Sequence, residues 1–415
     1  MSETLRGTIE KAVYGGDGLS RIEGKAVFVP YTLPGETVEV RITEDKGSYA
    51  RAELVSLPEA SPERSVPECG LYQQCGGCHW QHTNYAQELK LKEQVLTETL
   101  TRAGLRDLPA METVSAAPAG YRNRIRVAAD ENGQLGFRLR NSRQVIALDS
   151  CPVAAPLLAN AVKLIPQFLH EGEELELFCD AEEQQLALTL HTRRFLSSAT
   201  AQSWFDATQR ELPQLRGLAL ANEHKPARIL CGDAELEYRI GARTFAVAAG
   251  SFFQANRFML PRLVKLVTGE ATGALAWDLY AGVGVFSLPL AESFEKIVAV
   301  EIAQESVASL RKNLTQRGSR ALEQETLSFL RSAGRGARPD LVVVDPPRTG
   351  LGRPVAEALA KVRAQEIRYL SCDPATLARD LKLLVDSGYC CRKIHFLDLF
   401  PRTYHMETLI QLDLR

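Results

Sequence analysis

The sequence has no uninterrupted apolar run long enough to cross a bilayer, and its start, Met1 to Thr4, lacks the basic-then-apolar pattern of a signal peptide. It also lacks an excess of positive charge, because 49 Lys and Arg face 51 Asp and Glu, for a net charge of -2. These absences predict a cytoplasmic protein with no membrane partner. Any contact with nucleic acid must be made by a local basic patch.

The length of 415 residues exceeds what one core usually serves, so two or three domains are expected. The composition, 45% hydrophobic and 24% charged, is that of an ordinary globular protein. Nine cysteines, an odd number in a reducing compartment, favour metal binding or catalysis over disulfides.

From Leu5 to Leu57, short β-rich runs alternate with turns such as Gly15-Gly16-Asp17-Gly18. This alternation predicts a small five-strand antiparallel barrel of the oligonucleotide-binding type. The pattern resembles a TRAM domain, an RNA-binding module of RNA-modifying enzymes. Ser56 to Pro67, which contains three prolines, is the predicted linker. Domain boundaries are predicted at 1–60, 61–245 and 246–415, and the middle part is expected to be an α+β domain.

Three closely spaced cysteines follow the linker, and a fourth lies further along the chain. The first three occur in the segment Cys69-Gly70-Leu71-Tyr72-Gln73-Gln74-Cys75-Gly76-Gly77-Cys78. Cys151, followed by Pro152, is the best candidate for a fourth ligand, and His79 is a weaker rival. Four thiolates could hold zinc or an iron-sulfur cluster, and spacing alone leaves both open.

Arginines alternate along a predicted strand and continue on its predicted hairpin partner. Before them, the 3.6-residue periodicity of residues 84–103 predicts an amphipathic helix. The arginines that follow are Arg122, Arg124, Arg126, Arg138, Arg140 and Arg143. In a chain with almost no net charge, such a ladder predicts a phosphate-binding surface for RNA, with a solvated strand face as the alternative.

The part of the chain from about residue 245 changes character to an α/β series. Strands are predicted at 274–279, 297–302 and 340–344, and a glycine turn at 280–285 leads into a helix. Ligands of doubly wound folds collect at the carboxyl ends of such strands. Glu301 lies where an acid binds ribose hydroxyls, but the turn lacks the third glycine of the dinucleotide fingerprint. An adenosyl ligand without a pyrophosphate is therefore favoured.

Cys372 lies between a predicted buried strand, 367–370, and a predicted helix, 375–384. Asp373 is suited to cap that helix and Pro374 to begin it. The positive end of the helix would favour the thiolate, which makes Cys372 a candidate nucleophile, with an inert strand-end cysteine as the alternative.

Six blocks of sequence carry a more specific resemblance, and they occur in the same order as in one known family. They are the set Cys69, Cys75, Cys78 and Cys151; Ser251-Phe252-Phe253-Gln254-Ala255-Asn256; Asp278 to Gly284; Asp345-Pro346-Pro347-Arg348-Thr349-Gly350; Ser371-Cys372-Asp373-Pro374-Ala375-Thr376; and Phe400-Pro401-Arg402-Thr403-Tyr404-His405-Met406-Glu407. With the TRAM-like start they cover nearly the whole chain. The chain resembles RNA uracil-C5 methyltransferases, which make 5-methyluridine with S-adenosylmethionine.

The resemblance implies a Rossmann-like class I methyltransferase domain and assigns roles to individual residues. Cys372 would add to uracil C6, and Glu407 would remove the C5 proton. The residues implied at the S-adenosylmethionine site are Gln254, Tyr280, Glu301, Glu325 and Asp345. Phe252 would lie near the extruded base, with simple core packing as its alternative. The cysteine set would hold a [4Fe-4S] cluster that is structural and contacts RNA.

Three departures from the family pattern stand at Val285, Asp373 and Arg402, where asparagine, asparagine and histidine are frequent. The barrel and the cysteine set favour 23S ribosomal RNA as the substrate, and transfer RNA is the alternative. A non-catalytic RNA-binding iron-sulfur protein is a further alternative. A radical iron-sulfur enzyme would need a three-cysteine motif of different spacing, which this sequence lacks. A monomer that does not bind DNA is expected.

Overall fold

The computed structural model describes residues 4–222, 225–333 and 336–415. Residues 1–3, which belong to the segment predicted to lack a signal peptide, lie outside the described residues. Among the helices of the described ranges, none is both long enough and apolar enough to span a bilayer.

The first five strands close into a barrel, as the sequence predicts. They are β1 (Leu5–Ala12), β2 (Asp17–Ile22), β3 (Lys25–Pro30), β4 (Thr37–Asp45) and β5 (Tyr49–Glu59), in the order β1-β2-β3-β5-β4. The expectation of a fully antiparallel barrel is wrong, because β3 and β5 run parallel. Strict alternation of direction cannot close a ring with an odd number of strands, so one pair must be parallel. Valines at alternating positions of β3 and β4 fill the small core.

The amphipathic helix predicted after the linker is α1 (Tyr85–Arg102). The side chain of Asn84 caps it by accepting a hydrogen bond from the backbone N–H of Gln87. Its apolar face, which includes Leu91 and Leu96, is buried in the core that also covers the C-terminal sheet. The helix therefore joins the C-terminal part of the molecule.

A seven-stranded sheet forms the middle of the molecule, in the order β13-β12-β11-β10-β7-β8-β9. After α1 the chain first forms β6 (Met111–Val114), which belongs to the C-terminal sheet. The elements of the middle part are β7 (Arg124–Ala129), β8 (Leu135–Arg138), β9 (Val145–Ala147), α2 (Pro156–Leu164), β10 (Glu174–Cys179), β11 (Leu186–His191), α3 (Ser198–Glu211), β12 (Leu215–Asn222) and β13 (Lys225–Gly232). A separate hairpin follows, formed by β14 (Leu236–Ile240) and β15 (Arg243–Val247). Apolar side chains of α2, α3 and the sheet share one core.

The C-terminal part is an eight-stranded sheet in the order β18-β17-β16-β19-β20-β22-β21-β6. Its elements are α4 (Leu260–Thr268), β16 (Gly273–Leu279), α5 (Ser287–Leu290), β17 (Phe294–Glu301), α6 (Gln304–Asn313), β18 (Ser319–Glu323), α7 (Thr326–Ala333), β19 (Leu341–Val344), α8 (Gly352–Val362), β20 (Glu366–Ser371), α9 (Pro374–Asp386), β21 (Tyr389–Leu397) and β22 (Glu407–Leu414). The strands predicted in the sequence are confirmed. The short strand β6 joins this sheet by pairing with β21.

Strands β16 to β20 run parallel, and β22 is antiparallel to β20. The carboxyl ends of the parallel strands and the amino end of β22 consequently meet at one edge of the sheet. We call this the catalytic edge. The strand order reverses between β16 and β19, which is where ligands of doubly wound sheets bind.

Candidate active site

Cys372 and Glu407 lie opposite each other at the catalytic edge. In the antiparallel pair of β20 and β22, Ser371 is opposite Thr408. The next residue after β20 and the first residue of β22 are therefore neighbours, although 34 positions separate them in the sequence. The thiol of Cys372 is partly exposed, whereas Glu407 is buried. One oxygen of Glu407, Oε1, has no hydrogen-bond partner among the described residues.

The predicted thiolate at Cys372 is a point on which the structure disagrees with the sequence reasoning. Burial and then the carboxyl groups of Glu407 and Asp345 raise the pKa of the Cys372 thiol to about 12, while Arg348 opposes the shift. The predicted cap is confirmed, because one oxygen of Asp373 accepts hydrogen bonds from Ala375 N (3.0 Å) and Thr376 N (2.8 Å). The free N–H groups of the helix are thus directed at a carboxylate instead of the thiol.

Glu407 lies in surroundings that favour its neutral form. Burial and the nearby carboxyl of Asp345 raise its pKa well above the ordinary value, and the guanidinium of Arg348 acts in the opposite direction. A carboxyl group whose pKa is raised is a stronger base once it is ionised. The two groups at the edge thus share one electrostatic environment, in which acids outnumber bases.

Asp345 follows β19 at the point where the strand order reverses. The side-chain amide of Gln254 donates to its Oδ2 at 3.3 Å. Burial first, and then Asp278 at the end of β16, raise the pKa of Asp345 to about 7. The pKa of Asp278 is also raised to about 7, chiefly by burial. The two buried carboxyl groups of Asp345 and Asp278 form an environment in which a cation would be bound favourably.

The glycine turn after β16 is held by Glu301, the last residue of β17. Its Oε2 accepts from Gly282 N at 2.9 Å, and its Oε1 accepts from Ile302 N and Ala303 N at 2.7 and 2.8 Å. Tyr280 begins the turn with a positive φ of 63°. Three of the predicted cofactor residues, Tyr280, Glu301 and Glu325, therefore line the same edge, since Glu325 follows β18 and, after burial, contributes to the raised pKa of Tyr280.

Phe252 is not a core residue, because 68% of it is exposed, whereas its neighbour Phe253 is 3% exposed. The backbone of this loop is held by Arg124, which donates to Ser251 O at 2.7 Å. The loop also carries Gln254, which contacts Asp345. The exposed aromatic ring is thus attached to the same loop that reaches the catalytic edge.

The four predicted metal ligands, Cys69, Cys75, Cys78 and Cys151, line a single cavity of ≈ 810 Å³. All four are free thiols, and the described residues contain no His, Cys, Asp and Glu group arranged to hold one metal ion. Burial is the main cause that raises the pKa of Cys75, Cys78 and Cys151, and other thiols of the set add to the shift. Four thiolates here would need a cationic group between them, so the donor set fits a metal cluster in chemistry.

The arginine ladder is less free than the sequence suggests. Arg124 stacks on Phe178 at 4.2 Å and pairs with Glu176, so only 15% of its side chain is exposed. Arg126 and Arg138 face glutamates of β10. The pattern of β7 alone could not reveal these acids, because they come from a strand 50 residues away. Arg122, Arg126, Arg138 and Arg140 nevertheless line the same cavity as the cysteines.

Sequence reasoning did not single out Arg348, which the structure brings to the catalytic edge. Its guanidinium lies 3.3 Å from His405 Nε2 and is the cation that lowers the pKa of both Cys372 and Glu407. Its place directly after Asp345-Pro346-Pro347 was the available signal, since a residue three positions beyond a strand-end acid stays at the same edge.

Comparison with known proteins identifies the family of two parts of the chain. Residues 3–55 match the family described as TRAM domain, and residues 218–329 and 337–415 match the family described as tRNA (Uracil-5-)-methyltransferase. The 23S rRNA (uracil(1939)-C(5))-methyltransferase RlmD of Shewanella amazonensis is 32% identical over 100% of this chain and 96% of its own length. The protein of the same name from Chromohalobacter salexigens is 32% identical over 98% of this chain and 88% of its length.

A solved structure has the same fold. The tRNA (uracil-54, C5)-methyltransferase of Pyrococcus abyssi, in complex with S-adenosyl-L-homocysteine, is 24% identical and superimposes with a TM-score of 0.75. The match covers 98% of this chain and 100% of that chain. With full-length relatives at this level of identity, and a TRAM barrel joined to a methyltransferase fold, the chain belongs to the family of RNA uracil-C5 methyltransferases.

Proposed function

We propose that this enzyme methylates C5 of a uridine in 23S ribosomal RNA through a covalent adduct with Cys372. The observation that carries the proposal is the register of β20 and β22, which makes a partly exposed thiol the neighbour of a buried carboxyl group at the cofactor edge. Ribosomal RNA is favoured over transfer RNA because the two relatives named for 23S rRNA are 32% identical to this chain, whereas the enzyme named for transfer RNA is 24% identical.

The proposed role of Cys372 follows from the chemistry of uracil, whose C5 is a poor nucleophile. Addition of the thiolate to C6 breaks the C5–C6 double bond and gives an enolate with negative charge at C5. Because burial and then the carboxyl groups of Glu407 and Asp345 raise the pKa of the thiol, its proton must pass to solvent or to an ionised neighbouring carboxylate during the reaction, before the sulfur adds to C6. Arg348 is the cation of the protein itself that favours this ionisation.

Glu407 is the proposed base for the second half of the reaction. After C5 has received the methyl group, its remaining proton must leave so that the double bond can reform and expel the thiolate of Cys372. A buried carboxylate with a raised pKa and an unpartnered Oε1 is suited to accept that proton. Positioned bases of this kind contribute about 10²- to 10⁴-fold to the rate.

The proposed cofactor residues are those that meet along the catalytic edge. When bound, S-adenosylmethionine supplies a methyl group on a positively charged sulfur. Asp345, with a pKa raised to about 7, and Gln254 would border that charge. Tyr280, Glu301 and Glu325 surround the glycine turn, where the adenosyl part would lie.

The finer proposal for the four cysteines is that Cys69, Cys75, Cys78 and Cys151 hold a [4Fe-4S] cluster. Its support is the convergence of four thiols, whose chemistry suits an iron-sulfur cluster, on one cavity. The cluster would fix the loop that lies between the barrel and the rest of the protein. We further propose that the parts 1–60, 61–245 and 246–415 serve RNA binding, cluster binding and methyl transfer, in a cytoplasmic monomer.

The test uses a 23S rRNA fragment that contains 5-fluorouridine, because fluorine at C5 cannot be removed as a proton. With S-adenosylmethionine, we expect a denaturant-resistant protein–RNA band for the wild type and for Cys390→Ala, a matched control at a partly exposed cysteine. Cys372→Ala should give no band. Adduct formation by Cys372→Ala, or none by an active wild type, would exclude the covalent route.

The base is tested with natural RNA and the isosteric change Glu407→Gln. We expect the adduct to accumulate and turnover to fall by about 10²- to 10⁴-fold. The exposed control Glu357→Gln should turn over normally.

The choice of RNA is tested with a fragment of transfer RNA as the competing substrate. Preferential methylation of that fragment would favour transfer RNA over 23S ribosomal RNA. RNA binding without methylation of either would leave a non-catalytic iron-sulfur protein.

A further inference from the structure

The turn between the first two strands of the barrel reaches the catalytic edge. We call residues 13–17 the barrel turn. Gly15 and Gly16 have φ angles of 106° and 87°, which side chains rarely adopt. We call residues 69–78, which carry Cys69, Cys75 and Cys78, the cysteine loop. A Cβ at Gly16 would lie only 3.0 Å from the Cβ of His79, the residue that directly follows this loop. Glycine therefore allows the barrel to approach the loop this closely.

Charged contacts fix the barrel turn in place. Asp17, which is 8% exposed, accepts from Arg51 of the barrel at 3.2 Å and from Arg140 of the middle part at 3.3 Å. One carboxylate thus joins arginines from two parts of the molecule. These two partly buried ion pairs hold the barrel turn in its position relative to the catalytic edge.

Tyr14 is the side chain that the barrel turn presents to the active site. Its ring meets Tyr404 edge-on, with centroids 5.6 Å apart, and Tyr404 in turn packs against His79 at 4.8 Å and His405 at 4.2 Å. Burial, and then the nearby Asp373 carboxylate, raise the pKa of the Tyr14 hydroxyl, so the hydroxyl lies within electrostatic reach of that carboxylate.

Asp373 connects this contact to the nucleophile. Its Oδ1 caps α9, and its backbone directly follows Cys372. A tyrosine hydroxyl that holds the carboxylate from the other side would fix the short turn between β20 and α9. The orientation of the thiol toward an incoming base depends on that turn, because Cys372 is the residue between the strand and the cap.

We propose that Tyr14 of the barrel is a positioning residue for methyl transfer, which fixes the Cys372–Asp373 turn and closes one wall of the active site together with Tyr404. The proposal rests on the covalent role of Cys372 given above. It gives the barrel a second task besides contact with RNA, because the active site is complete only when the barrel turn is docked.

A double-mutant cycle tests this directly. Tyr14→Phe removes only the hydroxyl, and Asp373→Asn keeps a good helix cap while it alters the group that faces Tyr14. The matched control is Tyr49→Phe, the same change on β5, where the ring packs against Phe28 of the barrel. The readouts are the single-turnover rate of adduct formation with the 5-fluorouridine RNA, the Kd for the RNA, and the unfolding midpoint.

We expect Tyr14→Phe and Asp373→Asn each to slow adduct formation by about tenfold with the Kd changed less than about twofold, as for coupled neighbours. The double variant should be no slower than either single variant, and Tyr49→Phe should match the wild type. A wild-type rate in Tyr14→Phe, or a double loss equal to the product of the single losses, would overturn the positioning role. If Tyr14→Phe unfolds early, the cycle is read from Asp373→Asn alone, whose unchanged rate would also overturn it. Failure of the wild type to form any adduct would instead overturn the proposed function.

Discussion

The acids around Cys372 determine how its reactivity can be controlled. Asp345 and Glu407 both raise its pKa, and both have raised pKa values themselves. The charge on each of the three groups, Cys372, Asp345 and Glu407, changes the pKa of the other two, so their titrations are coupled. A cation that enters this place should lower all three pKa values together. Ordered binding of S-adenosylmethionine before thiolate formation would follow from this coupling.

This coupling predicts proton release when S-adenosylmethionine binds. Burial and then Asp278 raise the pKa of Asp345 to about 7, so the carboxyl is partly protonated at neutral pH, and a neighbouring cation lowers that pKa. Isothermal titration calorimetry in buffers of different ionisation enthalpy should therefore show proton release when the ligand binds. S-adenosylhomocysteine, whose sulfur is neutral, should release less. Equal release by the two ligands would contradict the assignment of Asp345.

The matched controls for this measurement are Asp345→Asn and Asp386→Asn. The first removes the titrating group, so the difference between the two ligands should shrink. The second changes an exposed acid of α9, whose side chain is 59% exposed, and should leave the difference intact.

At the scale of elements, the segment 398–406 joins β21 to β22 and carries Glu407 into place. Its support comes from α1, where Lys92 donates to Glu88, to Asp398 and to the carbonyl of Phe400, at 2.7, 2.9 and 3.2 Å. All three N–H donors of the ammonium are satisfied in a fully buried place. Glu88 also accepts from Arg402 N at 2.7 Å. A helix predicted only as amphipathic thus supports the segment that leads to the proposed base.

The same segment contacts the cysteine loop. The backbone N–H groups of His79 and Trp80 both donate to the carbonyl of Arg402, at 2.7 and 3.1 Å. These two residues directly follow Cys78, one of the proposed cluster ligands. The cysteine loop and the proposed base are consequently joined by a short path of hydrogen bonds.

Replacing Lys92 by methionine should destabilise the protein strongly. The change leaves Asp398 buried without its cation and leaves Glu88 with only Arg402, 3.5 Å from its Oε2, and removal of one partner from a buried ion pair costs about 3–5 kcal/mol. Urea unfolding followed by circular dichroism would measure the loss. The control Lys382→Met breaks an exposed pair with Asp386 on α9 and should cost less than about 1 kcal/mol. An equally small loss of unfolding free energy in both variants would show that Lys92 does not support the segment 398–406.

At the scale of the whole molecule, three parts of the chain surround one cavity. It is lined by the barrel turn, by the four cysteines and arginines of the middle part such as Arg126 and Arg140, and by Tyr404 of the C-terminal part. Aromatic rings and cations around a cleft suit an unpaired stretch of RNA, whose bases stack and whose phosphates pair with arginine.

The contribution of this surface can be read from the salt dependence of RNA binding. Arg126, which lines the cavity with half of its side chain exposed, is the arginine to change. Arg126→Ala should reduce the slope of log K against log salt by about 0.7, the loss of one phosphate contact on a single strand. Arg331→Ala, on α7 outside this cavity, should leave the slope unchanged. An unaltered slope in Arg126→Ala would place the phosphate contacts elsewhere.

The arginine ladder shows why sequence reasoning reached only part of the RNA surface. Alternation along β7 correctly places Arg124 and Arg126 on one face. It cannot show that β10 lies beside β7 and brings Glu174 and Glu176 against them. Pairing between distant strands is decided by packing of the whole sheet, which a local pattern does not contain.

The sequence by itself determined the five strands of the barrel, helix α1, the predicted strands of the C-terminal sheet, the cap at Asp373 and the family, because periodicity, capping and motif order are local properties. Tertiary structure alone decided the elements between residues 156 and 238, the register that places Glu407 beside Cys372, the approach of Arg348 and Tyr14 to the same edge, and the burial that raises the pKa of the thiol. The physical reason is that strand register and burial set distances and charges between residues far apart in the chain. The ionisation of a group depends on those distances more than on its neighbours in sequence.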